Sequence, residues 1–319
     1  MPANPTYSPE PSALHRVASH ALQSKNIRIE KLNDYLYRTY RLTTSKGFFY
    51  VLKCRPSPNI RLLRHEEGRL ENEACALQHL PQWIQSISTR IIEYQSTSIP
   101  LGCRYLITGP LSGEILADVE PNLSRQALAN IDKSLGRVVK SLCSIRGQAF
   151  GPLRQMPGLG SSWAKTFESM LEGVLRDAED ALINLPYEEI RQLPRKHRSS
   201  LDKWTQPVFV LLELSADENV VVDTRSHRVT GLLDYSTGFW GDPFMSDCFY
   251  KPTASFAEGF GRLPNGDADE RIRQYLYVLF HSLLAVVRHS YRPPEERDDE
   301  LEARRDLIVA IRQLAALAP

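Results

Sequence analysis

The sequence predicts an α+β protein of two lobes, a small antiparallel-sheet N-lobe with one long helix and a larger, mostly helical C-lobe. Three observations predict it. Strand-forming residues and turn signals concentrate in the first third of the chain. Long amphipathic stretches with helical spacing fill most of the remainder. Between those stretches lies one short, strongly apolar strand block, from 208 to 233. A chain of 319 residues, 42% of them hydrophobic, is long enough to bury the cores this requires.

The elements follow in order. Residues 1–12 hold four prolines and little apolar content, a tail. Ser12 to Ser24 suits a short helix. Tyr35 to Thr43 and Phe48 to Cys54 are aromatic and β-favouring, and Thr44-Ser45-Lys46-Gly47 is the turn of a hairpin between them. Across Leu62 to Leu80, the residues Leu63, Leu70, Ala74, Leu77 and Leu80 share one helical face. Ile91 to Tyr94 and Tyr105 to Ile107 are further strands. After Gly109-Pro110 come two long helices, Arg125 to Ile145 and Trp163 to Leu185. Tyr187 to Ser200 is polar, and Leu193-Pro194 is expected to interrupt any helix there. Val208 to Leu212, Val220 to Asp223 and Val229 to Leu233 are strands, and helices return from about Asp269. The expected division is a tail and short helix over 1–24, an N-lobe over 25–109, and a C-lobe over 110–319 carrying a functional hairpin at 208–243.

Composition narrows the function classes. The formal net charge is +1, from 39 basic and 38 acidic residues, so no global field draws the chain to nucleic acid or a membrane surface. Cys54, Cys75, Cys103, Cys143 and Cys248 form no C-x-x-C pair, which argues against a disulfide framework or a zinc site and for free thiols in a reducing compartment. The N-terminus lacks a charged region followed by an apolar one. The apolar run Tyr275 to Val287 is too short to span a bilayer and reads as a buried helix. A soluble, cytoplasmic protein is expected.

Asn219 and Asp234 stand at the two ends of the 220–233 hairpin. Alone, the first is an ordinary turn residue and the second an ordinary cap. A tight hairpin brings its ends together, and an amide oxygen beside a carboxylate is a hard-oxygen site suited to magnesium. The run Glu213 to Asp223, then Val229-Thr230-Gly231-Leu232-Leu233-Asp234, then Trp240-Gly241-Asp242-Pro243 resembles the catalytic segment of the aminoglycoside phosphotransferases and related small-molecule kinases. That segment has an H-G-D-L-x-x-x-N loop, a hairpin, an I-D-aromatic metal motif and a G-D-P.

The resemblance, which runs from about Tyr35 to Asp247, implies a protein-kinase-like fold and an ATP- and magnesium-dependent phosphoryl transfer to a small-molecule hydroxyl in the interlobe cleft. It implies that Asn219 and Asp234 hold the metal and that Asp242 braces the loop. Lys53, at the end of an apolar strand, would hold the nucleotide phosphates and pair with Glu73, which lies in a helix similar to the family's R-E-A-x-x-L. Thr108, Gly109 and Leu111 would form the hinge whose backbone meets the adenine.

Three departures bear on the chemistry. Val210-Leu211-Leu212-Glu213-Leu214 stands where the family has H-G-D-L. Glu213 is the nearest carboxylate to serve as catalytic base, one residue farther from Asn219 than the family spacing. Asp217 is a second candidate, and without a gap Leu214 occupies the position and there is no base. The bracing histidine is absent. The small-lobe hairpin Leu32-Asn33-Asp34-Tyr35 has no glycine to let backbone amides approach phosphate. The alternatives are a kinase-fold enzyme repurposed for acid–base chemistry in specialised metabolism, with Glu213 or Asp234 as the proton-transfer group, or a nucleotide-binding pseudokinase. The basic run from Arg191 to Arg198 and the acidic cluster from Glu295 to Glu300 read as solvated helix ends.

Overall fold

The computed structural model describes residues 9–32, 36–81, 84, 89–97, 101–153, 160–214, 217–264, 266–292 and 298–318. The tip of the glycine-free hairpin, 33–35, lies outside the described residues, as do 1–8 of the tail and 295–297 of the acidic cluster. The strands are β1 (Ile27–Leu32), β2 (Arg38–Thr44), β3 (Phe49–Cys54), β4 (Arg90–Gln95), β5 (Tyr105–Leu111), β6 (Glu114–Ile115), β7 (Gly151–Pro152), β8 (Val208–Leu211), β9 (Val220–Asp223), β10 (Arg228–Leu232) and β11 (Gly238–Gly241). The helices are α1 (Pro11–Leu22), α2 (Arg69–His79), α3 (Leu116–Val119), α4 (Arg125–Leu142), α5 (Trp163–Asp180), α6 (Tyr187–Lys196), α7 (Arg198–Asp202), α8 (Ala254–Phe260), α9 (Ala268–Tyr291) and α10 (Asp298–Ala316). They group into two compact units. The first comprises Met1–Ile60, Leu70–Ser134 and Ala216–Ser236; the second comprises Arg61–Arg69, Leu135–Ser215 and Thr237–Pro319.

The first unit is built on an antiparallel sheet of order β1-β2-β3-β5-β4. Alternation along β3 sends its side chains to two different cores. Leu52 and Cys54 join Leu14, Val17 and Ala18 of α1 and Ile107 of β5 in one cluster. Phe49 and Val51 join Leu111, Ile115, Val221 and Leu233 in another. Lys53 shares the parity of Phe49 and Val51, so its side chain leaves the sheet on the face that packs against the β9–β10 hairpin. That hairpin forms a second sheet, of order β10-β9-β6. Its turn is closed by Asp223, whose carboxylate accepts from the Arg225 N–H at 3.0 Å and the Ser226 hydroxyl at 2.8 Å. Gly113 approaches it so closely, with φ +123°, that a Cβ would lie 2.4 Å from the Val222 carbonyl oxygen.

The second unit is mainly helical, with a small sheet of order β7-β11-β8. Trp163 and Phe167 of α5 pack with Phe239, Tyr277 and Phe280 at its centre. The segment 61–69 is fastened here by ions. Arg64 Nη1 lies 2.5 Å from Asp177, and the buried Glu66 accepts from Arg292 and from the Leu63 N–H.

The α+β expectation is met, with local differences. β1 and β11 are strands the sequence reading passed over. The expected helix from Leu62 starts only at Arg69, after a single 3-10 turn and Gly68 at φ +71°. Pro194 sits inside α6 rather than ending it. Ile190, Leu193 and Pro194 are all buried, so packing of one face outweighs the missing backbone bond. The basic run is largely used structurally: Arg191 binds Glu172 and Glu179, and Lys196 and His197 donate to the last carbonyls of α10, Ala315 and Leu314, at 2.8 Å.

Candidate functional site

In the first unit, Lys53 is the hub of a buried charge cluster. Its ammonium group donates to both oxygens of Glu73 at 2.8 Å and to Asp234 Oδ1 at 3.0 Å, which uses its full donor capacity. The local sequence explains the meeting. Leu70 and Ala74 of α2 pack on Leu106 of β5, and Glu73, three residues after Leu70, comes to the same helix face. The Lys53 side chain is 5% exposed and that of Glu73 1%, whereas that of Asp234 is 19% exposed. The cluster therefore opens to solvent only on the Asp234 side. Further bonds fix it: Ser236 N–H donates to Asp234 Oδ1 at 2.8 Å, Tyr235 N–H to Glu73 at 3.4 Å, and Asn72 Nδ2 to the Ser236 carbonyl at 2.7 Å.

Two carboxylates share one lysine. Burial, together with the Asp234 charge, outweighs the lysine at Glu73 and pushes its carboxyl up to about 7. At Lys53 burial opposes the charge, but Asp234 and Glu73 prevail and raise its proton affinity.

The hairpin juxtaposes its ends as the sequence suggested. Leu232 pairs with Val220, and the Leu233 N–H donates to the Asn219 carbonyl at 2.8 Å, which brings the backbone of Asn219 beside that of Asp234. Asp217 begins the 3-10 turn that ends at Asn219. Burial, then Glu120, Glu218 and Asp132, raise its carboxyl to about 6. The hinge residues differ from a loop. Thr108, Gly109 and Leu111 lie within β5, with Thr108 opposite both Val51 of β3 and Ile91 of β4, and Gly109 opposite Arg90. Sheet pairing thus occupies the segment that the sequence reading assigned to a linker.

In the second unit, Glu213 is enclosed by cations. Arg69 Nη2 lies 2.9 Å from Oε2, while Oε1 meets Arg288 and, at 3.5 Å, His65 Nε2. Burial alone would raise its pKa, but Arg288 and Arg69 hold it well below the usual carboxylate range. A carboxylate so stabilised has little affinity for a substrate proton. Leu214 is buried, and its N–H donates to Asp247 at 2.8 Å. Asp242 is fully buried and accepts from Arg273 Nε at 2.9 Å, the Tyr277 hydroxyl at 2.8 Å and the Phe244 N–H at 3.0 Å. Arg69, Arg288 and His65 escaped the sequence reading. None sits in a recognisable motif, and 75 residues separate Arg288 from Glu213.

Residues 29–245 match the model of the phosphotransferase enzyme family. Among solved structures, a thermostable mutant of aminoglycoside phosphotransferase APH(4)-Ia in a ternary complex with ADP and hygromycin B is 14% identical, with a TM-score of 0.65 over 96% of this chain and 100% of that one. The streptomycin–ATP complex of APH(2")-IIa is 12% identical, with a TM-score of 0.56 over 94% and 96%. The GDP complex of wild-type aminoglycoside 2'-phosphotransferase-IIIa is 14% identical, with a TM-score of 0.59 over 94% and 99%. No curated protein sequence matches the chain. At these identities the likeness is one of fold, and that fold is protein-kinase-like. No helix among the described residues is long and apolar enough to cross a membrane.

Proposed function

Because the chain belongs to the phosphotransferase enzyme family, we propose that it transfers a phosphoryl group from magnesium-bound ATP to a hydroxyl of a small molecule. The buried Lys53–Glu73–Asp234 cluster supports this activity most directly. Phosphoryl transfer depends chiefly on positioning and on neutralising phosphate charge. Lys53 is pre-set for both, because Glu73 fixes its direction from both carboxylate oxygens. In this role Lys53 binds the nucleotide phosphates, and Thr108, Gly109 and Leu111 border the adenine.

The residues fit magnesium. Asp234 is the solvent-facing carboxylate of the cluster, and the Asn219 backbone is held beside it. Asn219 and Asp234 would supply hard-oxygen ligands. Magnesium, when bound, would neutralise charge on the transferred phosphoryl group. The relatives solved with ADP and hygromycin B, and with ATP and streptomycin, support a nucleotide and a small-molecule acceptor as the ligand pair.

The ion pairs of Glu213 favour a second reading, a nucleotide binder that transfers slowly or not at all. Thermal shift with ATP, with and without magnesium, followed by phosphate-transfer assays on a panel of hydroxyl compounds, separates the two. Magnesium-dependent stabilisation that Asp234→Asn removes, together with transfer, is expected. Stabilisation without any transfer selects the second reading, and indifference to nucleotide overturns both.

A further inference from the structure

The two faces of β3 lead to different chemistry. Lys53 points to the charge cluster, and the next residue, Cys54, points to the opposite core beside α1. Cys54 pairs in register with Tyr105, and the Arg55 N–H donates to the Arg104 carbonyl at 3.2 Å, so Cys103 lies diagonally across from Cys54 at the end of the ladder. Cys103 packs against the cluster that contains Cys54, and the two thiols interact directly. Both are free.

We infer that Cys54 and Cys103 are a peroxide-sensitive dithiol, a modification site that closes to an intramolecular disulfide immediately beside the strand position of Lys53. The two sulfurs have unequal roles. Cys103 is half-buried in the short turn before β5, whereas Cys54 is fully buried. The Cys54 thiol and the Arg38 guanidinium stabilise the Cys103 thiolate against the cost of its burial, and its pKa falls to about 7. Cys54, bonded to that thiolate and buried, keeps its proton. An accessible thiolate beside a cation is the form that reacts with peroxide.

The Cys103 thiolate attacks one peroxide oxygen. The O–O bond breaks, a proton is taken up, water leaves, and Cys103 becomes a sulfenic acid. Cys54 sulfur then attacks the Cys103 sulfur; its proton leaves with the hydroxyl as a second water, and the S–S bond forms. The two thiols supply the two electrons that reduce the peroxide. Closure needs the sulfurs about 2 Å apart. The turn carrying Cys103 has room for the adjustment, since Gly102 is exposed and a Cβ built on it meets nothing within 4 Å.

The other thiols provide the contrast. Burial pushes Cys143 up to about 12 and Cys248 well above its usual value. The full chain, treated briefly with equimolar hydrogen peroxide, then alkylated, digested and analysed by mass spectrometry, should show one peptide pair joined through Cys54 and Cys103. That pair should lose two hydrogens and be restored by dithiothreitol. In Cys54→Ala the reaction should stop at Cys103, trapped as a sulfenic acid by dimedone, and Cys103→Ser should abolish the bond. Should Cys54→Ala fail to fold, alkylation of the wild-type chain across pH serves instead, with Cys103 expected to label first and with a midpoint near 7. Oxidation that begins at Cys75, Cys143 or Cys248, over-oxidation of Cys103 without closure, or no reaction under these conditions would overturn the inference.

Discussion

Lys53 and Glu73, 20 residues apart in sequence, form a doubly hydrogen-bonded ion pair at 2.8 Å to each carboxylate oxygen, beneath a sheet that hides both from solvent. The pair is completed by a residue 181 positions away, Asp234, at 3.0 Å. The strand that presents the lysine and the hairpin that presents the aspartate belong to one compact unit, joined through Phe49, Val51, Val221 and Leu233. That shared apolar core sets the geometry of the charges above it.

Lys53→Met removes the cation that Glu73 and Asp234 share and leaves Glu73 fully buried. Breaking a buried pair in this way costs about 3–5 kcal/mol. Urea unfolding of the variant should show a loss of that order, and any nucleotide-dependent thermal shift should vanish. Double replacement, Lys53→Met with Glu73→Leu, should recover much of the stability without recovering the nucleotide response. If the single variant were as stable as wild type, the buried pair would not exist in solution.

The raised carboxyl of Glu73 makes a distinct pH prediction. Its folded pKa, about 7, exceeds its ordinary value of 4.5, so the folded state binds the proton more tightly than the unfolded state. The stabilisation from this group is fully present below about 4.5 and is lost as pH rises through about 7. The stability difference between wild type and Glu73→Gln should therefore shift in favour of the variant between those values. Denaturation curves at pH 4.5, 6 and 8 give the comparison. A difference independent of pH would show that Glu73 stays ionised throughout.

The sequence made part of this site legible, for a physical reason. Lys53, Glu73, Asn219 and Asp234 each stand at a position matched by the family resemblance, beside an apolar strand or helix face that holds the motif in place. Residues placed by tertiary packing alone were not legible. Arg69 and Arg288 reach Glu213 from opposite ends of the second unit's sequence, with nothing local to announce them. β11 is four residues bounded by glycines, and it is a strand because it pairs with β8 and β7. The segment from Thr108 to Leu111 read as a linker by its resemblance to the family's hinge, yet β3 and β4 hold it in the sheet.

Asp242 should prove structural. Its carboxylate is fully buried and bonded to Arg273 and Tyr277, whose hydroxyl in turn accepts from Trp163 Nε1 at 2.7 Å. Asp242→Asn takes the nearer counter-charge from the buried Arg273, leaving Glu270 at 3.9 Å, and should cost about 3–5 kcal/mol. Tyr277→Phe removes a hydroxyl that donates to Asp242 and accepts from Trp163, and should cost about 1–2 kcal/mol. Thermal unfolding of both variants, with near-UV circular dichroism of Trp163, tests the order. A larger loss in Tyr277→Phe would contradict it.

Glu213 distinguishes an ion-pair hub from a proton acceptor. Its folded pKa lies well below its ordinary value of 4.5, so its stabilisation is present above about 4.5 and is lost as pH falls toward the folded value. Glu213→Gln keeps the shape but removes the charge that faces Arg69 and Arg288, and about 2 kcal/mol of stability should go at neutral pH. The penalty should shrink below pH 4.5, where the unfolded wild-type chain takes up a proton that the folded chain does not. If the residue is a hub, the variant should retain whatever transfer rate the wild type has, to within a few-fold, once assayed well below its melting temperature. A proton acceptor behaves oppositely: general-base removal typically costs about 10²–10⁴-fold in rate. A rate loss of that size without a matching stability loss would return Glu213 to the catalytic centre, and would mean that substrate binding breaks its contacts with both arginines.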